Sequence, residues 1–205
     1  LRGQCAAWDV VGCFGDNLDA TAKALAKTLD HSINLERWRS LGIMLNYNGY
    51  GATVDDLHIN PEALFQRLLP FPDPEVALNE DPELLSVLEA AYASDMTQAE
   101  QSPCIAENAS YSVRVLPSEP WARRVSGVFG NALANAAPDR AHAVLTDIEG
   151  GYLVSMRAPL TNRTGADEIC RQFDTGGGRA AAAGINCLPA ADLSRFIDAI
   201  AARYT

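Results

Sequence analysis

Residues 172–186 read QFDTGGGRAAAAGIN, and no other stretch restricts the fold so tightly. A glycine in an ordered segment costs roughly 0.5–1 kcal/mol more conformational entropy than alanine, so three in succession need a geometric reason. Two reasons are open. Lacking Cβ atoms, Gly176, Gly177 and Gly178 can turn their amides toward one point and form a concave anion site. Ala180 to Ala183 have high helix propensity and Gly184 is a natural stop, so the tract then reads as a nest opening a one-turn helix whose N-terminus favours negative charge. Arg179 at that terminus opposes the dipole unless an anion bridges the two. Alternatively, the small residues form a tight turn that lets a helix lie close on a sheet.

The remaining sequence predicts an α/β fold. AAWDVVGCFGDN, residues 6–17, reads by length and β-branching as a buried strand delivering Asp16 at its C-terminal end. Apolar residues recur at helical spacing over residues 18–45 with a break at His31-Ser32, and Pro61 opens a helix through Leu69. Four prolines from Pro70 to Pro82 mark a linker, and the next helix runs from about Asp81 to Ala99. Beyond it, strands and helices alternate. SYSVRVLP is a strand, Pro120 opens a helix, and two strands join at Glu149-Gly150-Gly151. A short helix capped by Thr164 and a closing helix after Pro189 complete the order.

Whether an anion belongs beside the glycines depends on charge. The net charge of −10 argues against a sequence-independent grip on long duplex nucleic acid, which rests on neutralising many phosphates. A short anionic ligand held by a few arginines remains allowed. Five cysteines, Cys5, Cys13, Cys104, Cys170 and Cys187, form no CxxC pair and are odd in number. They read as buried thiols in a reducing, cytoplasmic setting, not as disulfides or a zinc site. No run of about 18 apolar residues predicts a membrane span. The opening LRGQCAAWDVV has neither methionine nor leader, so the chain reads as a fragment.

Two further features bear on the site. In VSMR, residues 154–157, strand alternation puts Ser155 and Arg157 on one side, where they form either a second phosphate clamp or a rim salt bridge. Asp16, with Asn17 beside it, is either a metal ligand at a sheet edge or the cap of the following helix.

GGGRAAAAG, residues 176–184, resembles the GGGHxxAAG signature of the DHH-associated domain found in many DHH-superfamily phosphoesterases. VSMR resembles the VSLR strand preceding that signature, and VVGCFGDN looks like the last metal-binding motif of the DHH catalytic domain. The resemblance spans essentially the whole chain, including LNYNGYG. It implies the truncated end of a parallel-sheet DHH domain with helices over residues 1–72, a linker with a helix over 73–105, and a smaller α/β domain with a mixed sheet over 106–205. It also implies a phosphoesterase using two divalent metals, usually manganese, which can generate hydroxide and stabilise both oxygens of an in-line displacement. By the same resemblance Asp16 is a metal ligand. Ser155, Arg157, Gly176, Gly177, Gly178 and Arg179 then hold a short oligonucleotide, a nucleotide or another small polyanion. A homodimer is left open.

The departures matter as much. The DxD-type motif, the middle aspartate and the DHH triplet are absent, and His31, His58 and His142 do not occur in such a context. One aspartate cannot hold two metals. The chain is therefore expected to be the C-terminal part of a longer hydrolase, inactive alone, or else a non-catalytic nucleotide-binding module. Arg179 stands where the pattern has histidine, and a guanidinium binds phosphate but cannot donate a proton at neutral pH. A third reading, an acyl-CoA-dependent acetyltransferase, takes the glycine tract as a pyrophosphate loop opening a helix.

Overall fold

The computed structural model describes residues 6–29 and 33–205; Cys5 and the break at His31-Ser32 lie outside them. Two compact units divide the chain, Leu1–Asp95 and Met96–Thr205.

All described elements of the first unit are helical: α1 (Ala6–Gly15), α2 (Asp19–Ala26), α3 (Leu35–Tyr47), α4 (Pro61–Leu68), α5 (Pro74–Glu80) and the start of α6 (Pro82–Glu100), with a short 3₁₀ turn at Val54–Asp56. The strand expected before Asp16 is thus a helix. Ala7, Val10, Val11 and Phe14 are buried and recur three and four residues apart, which makes a helical stripe that packs with Trp38 and Leu41. β-branching at Val10 and Val11 yields to that packing. The proline-rich stretch also folds where a linker is expected. The Asp73 side chain accepts from the Glu75 amide at 2.8 Å and Pro74 occupies the first turn, so prolines and acids that suggest an open connection cap a helix instead.

The second unit is an α/β sandwich on one mixed sheet. Its elements are β1 (Cys104–Glu107), β2 (Tyr111–Leu116), α7 (Pro120–Ala136), β3 (Ala141–Ile148), β4 (Gly151–Arg157), α8 (Ala166–Cys170), β5 (Gly176–Arg179), β6 (Ala182–Pro189) and α9 (Leu193–Tyr204). The strand order is β1-β2-β3-β4-β6-β5; β2 and β3 are parallel, joined through α7, and every other pair is antiparallel. One face carries Val113, Leu145, Val154, Met156 and Ile185 into a core closed by Ile169, Phe173, Phe196 and Ile200 from the α8 and α9 side. Helix α7 covers β3 and β4 on the other face. Helix α8 is capped differently from the expectation at Thr164. Gly165, at φ +97°, is its N-cap, and the Thr164 hydroxyl donates to Asn162 instead.

Of the four described thiols, Cys170 is buried and its pKa is pushed up to about 12 by burial, with Asp167 adding to the shift. Cys104 is exposed on β1, contrary to the expectation of uniformly buried thiols. All four are free. No helix among the described residues is long and apolar enough to cross a membrane.

His142 on β3 is 2% exposed, accepting from the Ser112 hydroxyl at Nδ1 (2.8 Å) and donating from Nε2 to the Ala137 carbonyl (3.3 Å). Both bonds suit the neutral ring. Burial pushes its pKa below the ordinary 6.5; the carbonyl pulls the other way, and Arg140 and Arg114 add to the lowering. The unfolded chain therefore takes up a proton that the folded one refuses, so stability falls as pH drops through and below 6.5. Unfolding midpoints measured on either side of that value should show the slope, and His142→Gln should flatten it.

Candidate functional site

The glycine tract forms an edge hairpin. Strand β5 pairs with β6 with Gly176 opposite Ile185, Gly177 opposite Gly184, Gly178 opposite Ala183 and Arg179 opposite Ala182. Alanine's local preference for helix gives way to this pairing. The nest opening a one-turn helix does not form, and the same geometry removes the support for a pyrophosphate loop of acetyltransferase type. The Asn186 amide bonds the Thr175 carbonyl at 3.2 Å. By the alternation of antiparallel pairs, Gly177 and Gly184 then exchange ladder bonds, while the Gly176 and Gly178 amides face away from β6. The Gly176 amide bonds the Phe173 carbonyl at 2.8 Å, and the Gly178 carbonyl accepts from Arg171 at 3.3 Å.

Each glycine has a separate cause. A Cβ on Gly176 would lie 1.7 Å from the Cys170 carbonyl oxygen, so the end of α8 passes against bare backbone there. Gly178 has φ +136°, in the region that side chains disfavour. Gly177 alone meets neither limit: a Cβ there would find nothing within 4 Å. Sterics explain two of the three glycines and leave the middle one facing open space.

Register places that open space. Ser155, Gly184 and Gly177 lie opposite one another across β4, β6 and β5, and Arg157, Ala182 and Arg179 form the next row. Paired residues share a face, so all six look to the side that α7 covers farther along the sheet. The result is a shelf floored by Gly177, Gly184 and Ala182, with a guanidinium at each end. Two strand spacings, about 10 Å, separate the two arginine Cα positions. The expected pairing of Ser155 with Arg157 is present, since the guanidinium donates to the Ser155 hydroxyl at 3.1 Å. Sequence reasoning missed the other partners. Arg157 Nε donates to Asn131 at 2.8 Å and a terminal nitrogen to the Gly127 carbonyl at 3.3 Å, both on α7, and the nitrogen that bonds Ser155 also donates to the Met156 carbonyl at 3.1 Å. This guanidinium is held rigidly, whereas Arg179 is exposed on the last strand. All ten basic side chains of residues 96–205 are arginines, the type whose planar fork matches phosphate oxygens.

Asp16 lies immediately after α1 and is exposed. It does not cap α2, whose N-cap is Leu18 with no side-chain bond. Among the described residues no group of three His, Cys, Asp or Glu side chains could hold a metal ion. One exposed carboxylate does not fit a two-metal centre, so no step is assigned to a metal here.

No family model matches the chain, and no curated protein matches it. Solved structures do. The DHH domain of a member of the s1p family of ribosomal proteins aligns over 98% of this chain at TM-score 0.64 and 11% identity. A pGpG-specific phosphodiesterase, PggH, from Vibrio cholerae aligns over 87% at TM-score 0.55 and 15% identity. The manganese-bound exonuclease RecJ aligns at TM-score 0.45 and 19% identity, too loosely to support an argument. The chain spans 49% and 60% of the lengths of the first two. At such identities the likeness is one of fold alone.

Proposed function

We propose that this chain is the substrate-binding part of a DHH-type phosphoesterase, and that its shelf holds a terminal phosphate or nucleotide of a short oligonucleotide or another small polyanion. One observation carries the reading: Gly177 is a glycine without a steric reason, set in a row of small residues between two arginines. Bare backbone there admits a close approach, Arg179 supplies charge-assisted hydrogen bonds, and Arg157, whose donors are engaged within the fold, supplies fixed positive charge. Ser155 and Arg157 present fixed groups from β4; Arg179 closes from β5. Gly176 and Gly178 act indirectly, by allowing β5 to lie where it does. Residues 1–72 and 106–205 are read as the catalytic-domain end and the binding domain, joined through 73–105. Asp16 is proposed as one ligand of a manganese centre that the described residues do not complete by themselves.

Titration with the 5′-phosphorylated dinucleotide pApA tests this directly. Arg179→Ala should weaken binding about tenfold or more, since a hydrogen bond to a charged group is worth about 1.5–3 kcal/mol. Its unfolding midpoint should hold, because the side chain is exposed. Gly177→Val should also weaken binding without unfolding, by filling the open space over the floor. Unchanged affinity in both variants would remove the shelf from the binding surface. The second reading is a binding module without catalysis, since among the described residues no group of His, Cys, Asp or Glu side chains could hold a metal ion. Turnover of pApA with manganese by the longest natural form of the protein separates the two.

A further inference from the structure

The N-terminal unit holds a surface unrelated to the shelf. Helix α4 lines up Leu64, Phe65 and Leu68, with Leu69 at its C-cap, yet none of its residues is buried. Phe65 is 60% and Leu69 61% exposed. An amphipathic helix of a folded unit ordinarily turns such a stripe onto a core. Here Leu64 and Leu68 pack partly against Met44, Leu84 and Leu88, while Phe65 and Leu69 stay exposed, and the stripe forms one wall of an open apolar cavity of about 800 Å³ with Trp8 of α1 and Leu45 of α3 among the facing walls. Polar bonds anchor these walls. The Arg67 guanidinium on α4 grips Asp81 at 2.6 Å, and Trp8 Nε1 donates to the Phe71 carbonyl at 3.1 Å.

Its surroundings are negative. Exposed Asp9 follows Trp8, and exposed Glu62 lies in the first turn of α4 beside Pro61. The basic residue of α4, Arg67, is neutralised by Asp81, with Glu83 also within 3.8 Å. Residues 1–95 carry fifteen acidic and six basic side chains, against eleven and ten in the rest. A second copy would bring its own acids against these, and like charges at close quarters oppose self-association.

We propose that this groove docks an amphipathic helix of a partner protein whose apolar stripe is flanked by lysine and arginine. Phe65 and Leu69, with the half-buried Leu64 and Leu68 behind them, supply the apolar wall that takes anchors at helical spacing, and Asp9 and Glu62 engage the basic flanks. The acidic field of the unit speeds encounter and makes affinity depend on salt.

The test uses the full chain and two synthetic helical peptides with identical leucine positions, one carrying lysines and the other glutamates between them. Fluorescence anisotropy should show the lysine peptide binding at least about tenfold more tightly than the glutamate peptide, with affinity falling on added salt. Phe65→Asp and Leu69→Asp should each weaken it about tenfold with unchanged unfolding midpoints, both sites being exposed. Equal affinity for the two peptides would overturn the proposal, as would indifference to both variants. A concentration-dependent dimer abolished by Leu69→Asp would overturn it in favour of a second copy.

Discussion

Gly176→Ala is expected to destabilise the protein by about 3 kcal/mol or more. The added Cβ would sit 1.7 Å from the Cys170 carbonyl oxygen and 3.1 Å from that of Phe173. Neither is the end of a flexible side chain. Relief requires β5 to move off α8, breaking the Gly176 amide bond to Phe173 and disturbing the core at Cys170 and Ile185. The unfolding midpoint should fall on the order of 10 °C. The neighbouring substitution is the control: Gly177→Ala meets nothing within 4 Å and should leave the midpoint where it was. Equal losses at both positions would contradict the hairpin.

The second large effect is expected at Arg157. Its guanidinium ties β4 to α7 through Asn131 and the Gly127 carbonyl while also bonding Ser155. Arg157→Ala removes a donor from several partly buried acceptors at once, a loss of about 2–3 kcal/mol. Binding of pApA should drop with it, by about tenfold or more, in protein kept well below its lowered midpoint. Arg157→Lys should recover little of either, because one ammonium cannot reproduce a planar fork that reaches helix and strand together. Set beside Arg179→Ala, the two arginines differ in kind: one is expected to cost stability and affinity, the other affinity alone. Calorimetric melts and titrations on the same four proteins measure both quantities.

The sequence reveals most where a single period governs. Strand β4 alternates, so the side shared by Ser155 and Arg157 follows from their spacing alone. Pro61 and Pro120 announce the starts of α4 and α7 because proline's missing amide is harmless there. Residues 6–15 are harder, since Val10-Val11 suits a strand while the three- and four-residue repeat suits a helix. Packing onto Trp38 and Leu41 decides for the helix. The glycine hairpin was hidden for a different reason. Four alanines locally prefer helix, and what overrides them is pairing with β4 across a bulge, a contact some thirty residues distant in the chain. Likewise Asn131 and Gly127 leave no mark as partners of Arg157, because a helix laid over a strand meets it at positions that neither pattern predicts.

The two ends of the sheet bear on how this protein behaves when crowded with copies of itself. At one margin β5 is four residues long, bent by Gly178, with Arg171 seated on its outward carbonyl. At the other, β1 is equally short, irregular between Cys104 and Ala106, and ends on Glu107. Neither margin offers the long, flat, uncharged template on which strands from separate molecules stack. The molecule is thereby guarded against growth into fibrils and against strand exchange.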